Sequence, residues 1–175
     1  MLTYPPALQR NAVTNFALLM WKLNNSKTEP ERYVNLSEVA RLAFAFGEIE
    51  NARKYAVELL ALDDKFQKEP WRTGDATFSG NFVLGRIAVK EGRIEEAKQY
   101  LLKAGETTGS PVLNSFGPNM SLANDFLKKG ERETVTNYFE LCHKFWSPSD
   151  NGSLNRWTEE VNAGKIPDFG GNLYF

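Results

Sequence analysis

The stretch Gly85–Ala104, GRIAVKEGRIEEAKQYLLKA, reads as two short helices folded about Gly92. Seven residues before the turn stands a small residue, Gly85; five after it stands Ala97, and eight after it Tyr100. The same phrase occurs from Ala40, ARLAFAFGEIENARKYAVELL, turning at Gly47 with Ala52 and Tyr55 behind it. It occurs again from Ala123, ANDFLKKGERETVTNYFELC, turning at Gly130 with Val135 and Tyr138 behind it. The turns are 45 and then 38 residues apart, a period that marks stacked helical hairpins rather than one globular pattern. Glycine suits the turn because it adopts φ > 0 without strain. The small residues suit points where two helices cross closely.

Outward from the hairpins, residues 7–24 place Leu8, Ala12, Phe16, Leu19, Met20 and Leu23 at helical spacing, with Pro5 and Pro6 at the helix start. Thr28–Leu36, with Pro30 inside, reads as a connector, and Ser37 as the cap of the first hairpin. The expected hairpins are then 36–66, 75–105 and 119–146. Thr107–Pro118 is rich in turn formers and reads as a loop. Ser153 is a candidate cap for a last helix over 153–164, stopped by Gly164, and 165–175 is an irregular tail. Two-residue alternation is scarce and no strand is expected. The expected fold is therefore all-α, a right-handed superhelical array of three hairpins flanked by an N-terminal helix and a capping helix, forming one domain over 1–175. Phe145, Trp146 and Trp157 are placed to cover the last hairpin, whose apolar face would otherwise meet water.

The second unit resembles a tetratricopeptide repeat through Leu84-Gly85, Ala88, Gly92, Ile94, Ala97, Leu101 and Ala104. The first matches with Ala40, Ala43, Gly47, Ile49, Ala52, Ala56 and Leu59. The third matches with Ala123, Gly130, Val135, Phe139 and Cys142, while Arg132 stands where an apolar residue is usual. The units are longer than the family's 34 residues, stretched by their loops. The resemblance implies a concave groove lined by the first helix of each hairpin, holding an extended peptide. Carried over position by position, the groove-facing residues are Arg41, Phe44, Phe82, Arg86, Val89, Lys90, Met120, Asn124, Leu127 and Lys128. Their charged members are all basic, which would suit a peptide bearing carboxylates, with Arg86 able to hold one bidentately.

Composition narrows the remaining classes. A net charge of -1 gives no overall attraction to nucleic acid or an anionic membrane. The apolar runs are too short to span a bilayer. The start MLTYPPALQR lacks the features of a secretory leader. With one cysteine, Cys142, no intramolecular disulfide can form, and a cytoplasmic location is expected. Cys142 and His143 are helix neighbours about 100° apart, poorly set for a nucleophile–base pair, and no second histidine exists for a zinc site. The carboxylates fall in solvated runs such as Glu95-Glu96, and Gly74-Asp75-Ala76-Thr77 lacks a phosphate loop's lysine. The expected function is a non-catalytic protein-interaction module without metal or cofactor, binding a protein or peptide, an acidic one suiting it best, in a basic-rimmed groove. Two alternatives stand beside it: a small-molecule sensor or accessory enzyme domain with a pocket near the Trp71 and Phe116 loops, and a homo-oligomer using the repeat face.

Overall fold

The computed structural model describes residues 6–147 and 149–174, with side chains from residue 13 onward. Pro5, Phe175 and the side chains of Leu8 and Ala12 lie outside the described residues. Within them the chain is all-α: α1 Pro6–Asn24, α2 Glu29–Ala45, α3 Ile49–Lys65, α4 Asp75–Lys90, α5 Ile94–Gly105, α6 Pro111–Phe116, α7 Ser121–Lys128, α8 Arg132–Trp146 and α9 Ser153–Asn162, followed by a 3-10 turn over Gly170–Leu173.

Gly47, Gly92 and Gly130 sit at φ +83°, +77° and +84°. At Gly47 the two hydrogen bonds that close a left-handed helix terminus are both present: Gly47 N–H donates to the Phe44 carbonyl at 3.0 Å and Glu48 N–H to that of Ala43 at 2.9 Å. The same pair recurs at Gly92, Gly130 and Gly164. A Cβ added at any of these four would meet nothing within 4 Å, so the requirement is backbone geometry alone. Gly47→Ala should cost about 1–2 kcal/mol, lowering Tm by a few degrees in a thermal melt. Gly85 is required for the opposite reason. An added Cβ there would lie 2.6 Å from the Leu122 side chain and 3.2 Å from Tyr100 Cβ, so α4 is pressed between α5 and α7.

α2 begins earlier than the sequence reading places it. Thr28 is extended (φ -130°, ψ 156°) and its hydroxyl accepts from the Glu31 N–H at 3.4 Å. Pro30 lies in the first turn, where its missing N–H costs nothing, and Glu29 and Glu31 favour that helix end electrostatically. The expected connector Thr28–Leu36 is thus largely helix, and Ser37 lies inside it rather than capping it. The expected loop Thr107–Pro118 contains α6 for the same reason: the Ser110 hydroxyl accepts from the Leu113 N–H at 3.1 Å and Pro111 opens the helix. α9 is capped by Asp150, whose carboxylate accepts from the Gly152 and Leu154 N–H groups at 3.2 and 3.1 Å, not by Ser153.

Packing follows the hairpins. α2 lies on α3, α4 on α5 and α7 on α8. The first helices also meet in sequence, α2 on α4 and α4 on α7, as do the second helices with the next unit, α3 on α4 and α5 on α8. The crossing residues Ala40 and Ala123 and the facing Ala52, Ala97 and Val135 are fully buried. At the end, α9 packs on α8, and Trp157 contacts Phe139, Trp146 and Phe169 with ring centroids 6.1, 5.8 and 4.9 Å apart.

One buried polar cluster ties α2, α3, the following loop and α4 together. The Asp63 carboxylate accepts from Arg72 Nε at 2.6 Å and Nη2 at 2.7 Å, from Thr77 Oγ1 at 2.7 Å and from Tyr33 OH at 2.7 Å. Burial would raise the Asp63 carboxyl, but the hydrogen bonds from Arg72, Thr77 and Tyr33 outweigh it and hold its pKa below the usual value. Burial and the bond to Asp63 push the Tyr33 hydroxyl up, so it stays protonated and donates. Both Asp63 oxygens are fully engaged, which makes the cluster a structural tie.

Candidate binding groove

Two adjoining clefts open on the face formed by α2, α4, α6 and the start of α7, sharing Arg41, Phe82 and Asn119. The larger has a volume of about 350 Å³ and runs between α4 (Asp75, Phe78, Ser79, Phe82) and the α6 segment (Val112, Leu113, Phe116, Gly117). That size matches the lower range of small-ligand or side-chain pockets, about 300–1,000 Å³. Phe78 and Phe82, one helical turn apart, stack with centroids 5.7 Å apart and give it an aromatic wall. The opposite wall carries Val112 and Phe116, which are 59% and 63% exposed. Apolar side chains that open to water at a cleft mouth are what a docking partner would cover.

The position of α6 is built in. Gly74 N–H donates to the Gly109 carbonyl at 2.7 Å, Thr107 Oγ1 donates to the Gly74 carbonyl at 2.6 Å, and Ser110 Oγ donates to Asp75 at 2.7 Å. An added Cβ at Gly74 would lie 2.6 Å from the Gly109 backbone, so the start of α4 and the start of α6 are held in direct contact. Gly117, at φ +81°, lets the chain leave α6 with the Trp146 indole against it. Asp75 is further occupied by Thr73 Oγ1 at 3.0 Å, and Asn119 Oδ1 accepts from Ser121 N–H at 2.8 Å.

The smaller cleft, about 80 Å³, lies between α2 (Arg41, Leu42, Phe44, Ala45) and α4 (Phe82, Val83, Arg86), and its far wall is the chain's own Leu173 and Tyr174. Arg86 is anchored here, pairing with Asp125 at 3.1 Å and lying 5.6 Å above the Phe44 ring. Arg41 pairs with Glu38 on its own helix at 3.3 Å.

Of the ten residues expected to face the groove, Arg41, Phe44, Phe82 and Arg86 line these clefts. Met120 and Leu127 do not: both are essentially fully buried, because the short α7 is covered by α4 on one side and α8 on the other. Val89, Lys90, Asn124 and Lys128 lie on the neighbouring helix surface outside either lining. The expected basic rim is reduced, since Glu38 and Asp125 offset the two arginines that reach the clefts. Trp71 lines neither of these two clefts; it packs on Tyr33 and Phe66 at 5.7 and 5.1 Å. Cys142 is fully buried in α8, where burial pushes its thiol up, and it lies outside both clefts. Among the described residues no group of three or more His, Cys, Asp or Glu is placed to hold a metal ion. Nor is any described helix long and apolar enough to cross a membrane. No known family model, curated protein or solved structure matches the chain.

Proposed function

We propose that the three hairpins form a tetratricopeptide-like superhelical array and that the chain is a non-catalytic interaction module. On this reading it binds an extended segment of a partner protein along the α2–α4–α6 face. The observation that carries the reading is the 350 Å³ cleft between the stacked Phe78–Phe82 pair and the exposed Val112 and Phe116. Its walls are helices tied through Gly74 and Asp75, so the backbone around it is formed before any ligand arrives, which lowers the ordering cost of binding. Its lining is mainly aromatic and aliphatic with few polar groups, which suits anchoring one large apolar side chain of a peptide. Arg41, at the junction of the two clefts, is the cation best placed for a partner carboxylate.

Selection from a random peptide library against the full chain tests this. Enriched peptides should lose at least tenfold in affinity, about 1.4 kcal/mol, when Val112 and Phe116 are both replaced by alanine. Those side chains are exposed, so the fold should survive the change. A library that yields no binder, or only binders indifferent to the substitution, would remove the reading.

A further inference from the structure

The smaller cleft already holds a piece of the chain's own tail, the 3-10 turn over Gly170–Leu173, and the way it is held defines a ligand. After Phe169, buried against Trp157 and Phe139, the tail turns across the mouth of the groove. The Asn172 carbonyl accepts from the Met120 N–H at 2.7 Å. The Asn172 side-chain amide donates to two main-chain carbonyls, Phe116 at 3.0 Å and Pro118 at 3.1 Å. Leu173 then packs against the core and, with Tyr174, walls the cleft between α2 and α4, leaving only about 80 Å³ there.

These contacts constitute a recognition pattern. The segment Phe116–Met120 offers carbonyls of Phe116 and Pro118 together with the N–H of Met120. A carboxamide side chain can donate to both carbonyls while the main-chain carbonyl of the same residue takes the N–H. A carboxylate could not make the first two bonds, because it has only acceptors. Beyond that polar clamp lies an apolar slot, so the next residue should be apolar.

We propose that the groove recognises a short turn-forming segment with an asparagine followed by an apolar residue, and that Asn172–Leu173, in its 3-10 turn, is the tethered copy which such a segment displaces. The proposal rests on the reading of this face as a binding surface. The tail is then an intramolecular competitor: a short tether holds it at an effective concentration on the order of millimolar. An external segment with a dissociation constant near 0.1 mM would be weakened roughly tenfold by that competition.

The test uses the full chain and a fluorescein-labelled peptide of sequence Gly-Gly-Asn-Leu-Tyr, matching residues 170–174. The double variant Asn172→Ala, Leu173→Ala should bind this peptide about tenfold more tightly than the unaltered chain does. The control peptide Gly-Gly-Ala-Leu-Tyr should bind neither. Equal binding to both chains, no binding to either, or equal binding of both peptides would each overturn the proposal. Peptides selected from the library separate the two readings. If they bind through Val112 and Phe116 while the asparagine peptide fails, the displacement idea falls alone; if both fail, the groove reading falls with it.

Discussion

Replacing Arg72 with alanine is expected to destabilise the fold by about 3–5 kcal/mol, the range measured when one partner of a buried ion pair is removed. Asp63 is 4% exposed, and Arg72 supplies two of its four hydrogen bonds and its only charge partner in the cluster. Without the guanidinium, a carboxylate remains in a site that burial makes unfavourable. Asp63→Asn combined with Arg72→Ala should recover part of the loss, because no charge is then left buried. Urea unfolding of the unaltered chain and the two variants checks the order.

The pH dependence gives a second reading of the same cluster. The folded-state pKa of Asp63 is lowered, so its contribution is present above the unfolded value of about 3.9 and is lost as pH falls through the folded value. In Arg72→Ala burial dominates and the carboxyl rises instead, so protonation relieves the variant. The stability gap between the two proteins should therefore narrow as pH falls, first above about 3.9 as the variant's raised carboxyl protonates, then below it as the unaltered chain loses its contribution. A gap that stays constant or widens would show that Arg72 acts through packing rather than charge.

The hairpins were legible because their signals are local. A glycine at positive φ, a small residue seven positions earlier and an apolar stripe all lie within about twenty residues of sequence, and each is set by backbone sterics or helix geometry. The groove was legible only in part. Arg41, Phe44, Phe82 and Arg86 follow from the position of the first helix in each hairpin. Met120 and Leu127 fail because a helical period gives a face but not which neighbours cover it. Glu38 and Asp125, which offset the arginines, come from the same helix in one case and another helix in the other.

The α6 wall carries a local signal whose sense is a helix start where turn formers alone predict a loop. Ser110-Pro111, like Thr28-Glu29-Pro30, is a capping hydroxyl followed by a proline in the first turn, a helix start rather than a break. Val112, Leu113 and Phe116 then follow at helical spacing. By contrast, the seat of Asn172 on Phe116, Pro118 and Met120 joins residues more than fifty positions apart in sequence. No local pattern encodes it. It depends on where α9 and Phe169 bring the tail.

That dependence makes Trp157 the second position of large effect. Trp157 is 3% exposed and touches Phe139, Trp146 and Phe169, so Trp157→Ala should cost about 3–5 kcal/mol. For a chain of this size that corresponds to a fall in Tm of roughly 6–20 °C. Trp157→Phe should be far milder, under about 1.5 kcal/mol, although it also removes ring volume. The Trp157 indole N–H is buried without a hydrogen-bond partner among the described residues, so phenylalanine deletes a polar group whose burial is uncompensated. The two variants should also differ at the groove. Trp157→Ala removes the ring 4.9 Å from Phe169 and frees the tail from its anchor. The Met120 N–H, bonded to Asn172, should then exchange with solvent faster than its neighbours in α7 under native conditions. In Trp157→Phe the anchor keeps an aromatic contact and Met120 should stay protected. Equal Met120 protection in the two variants would mean that the tail is held by Asn172 and Leu173 alone, without help from the aromatic end of the stack.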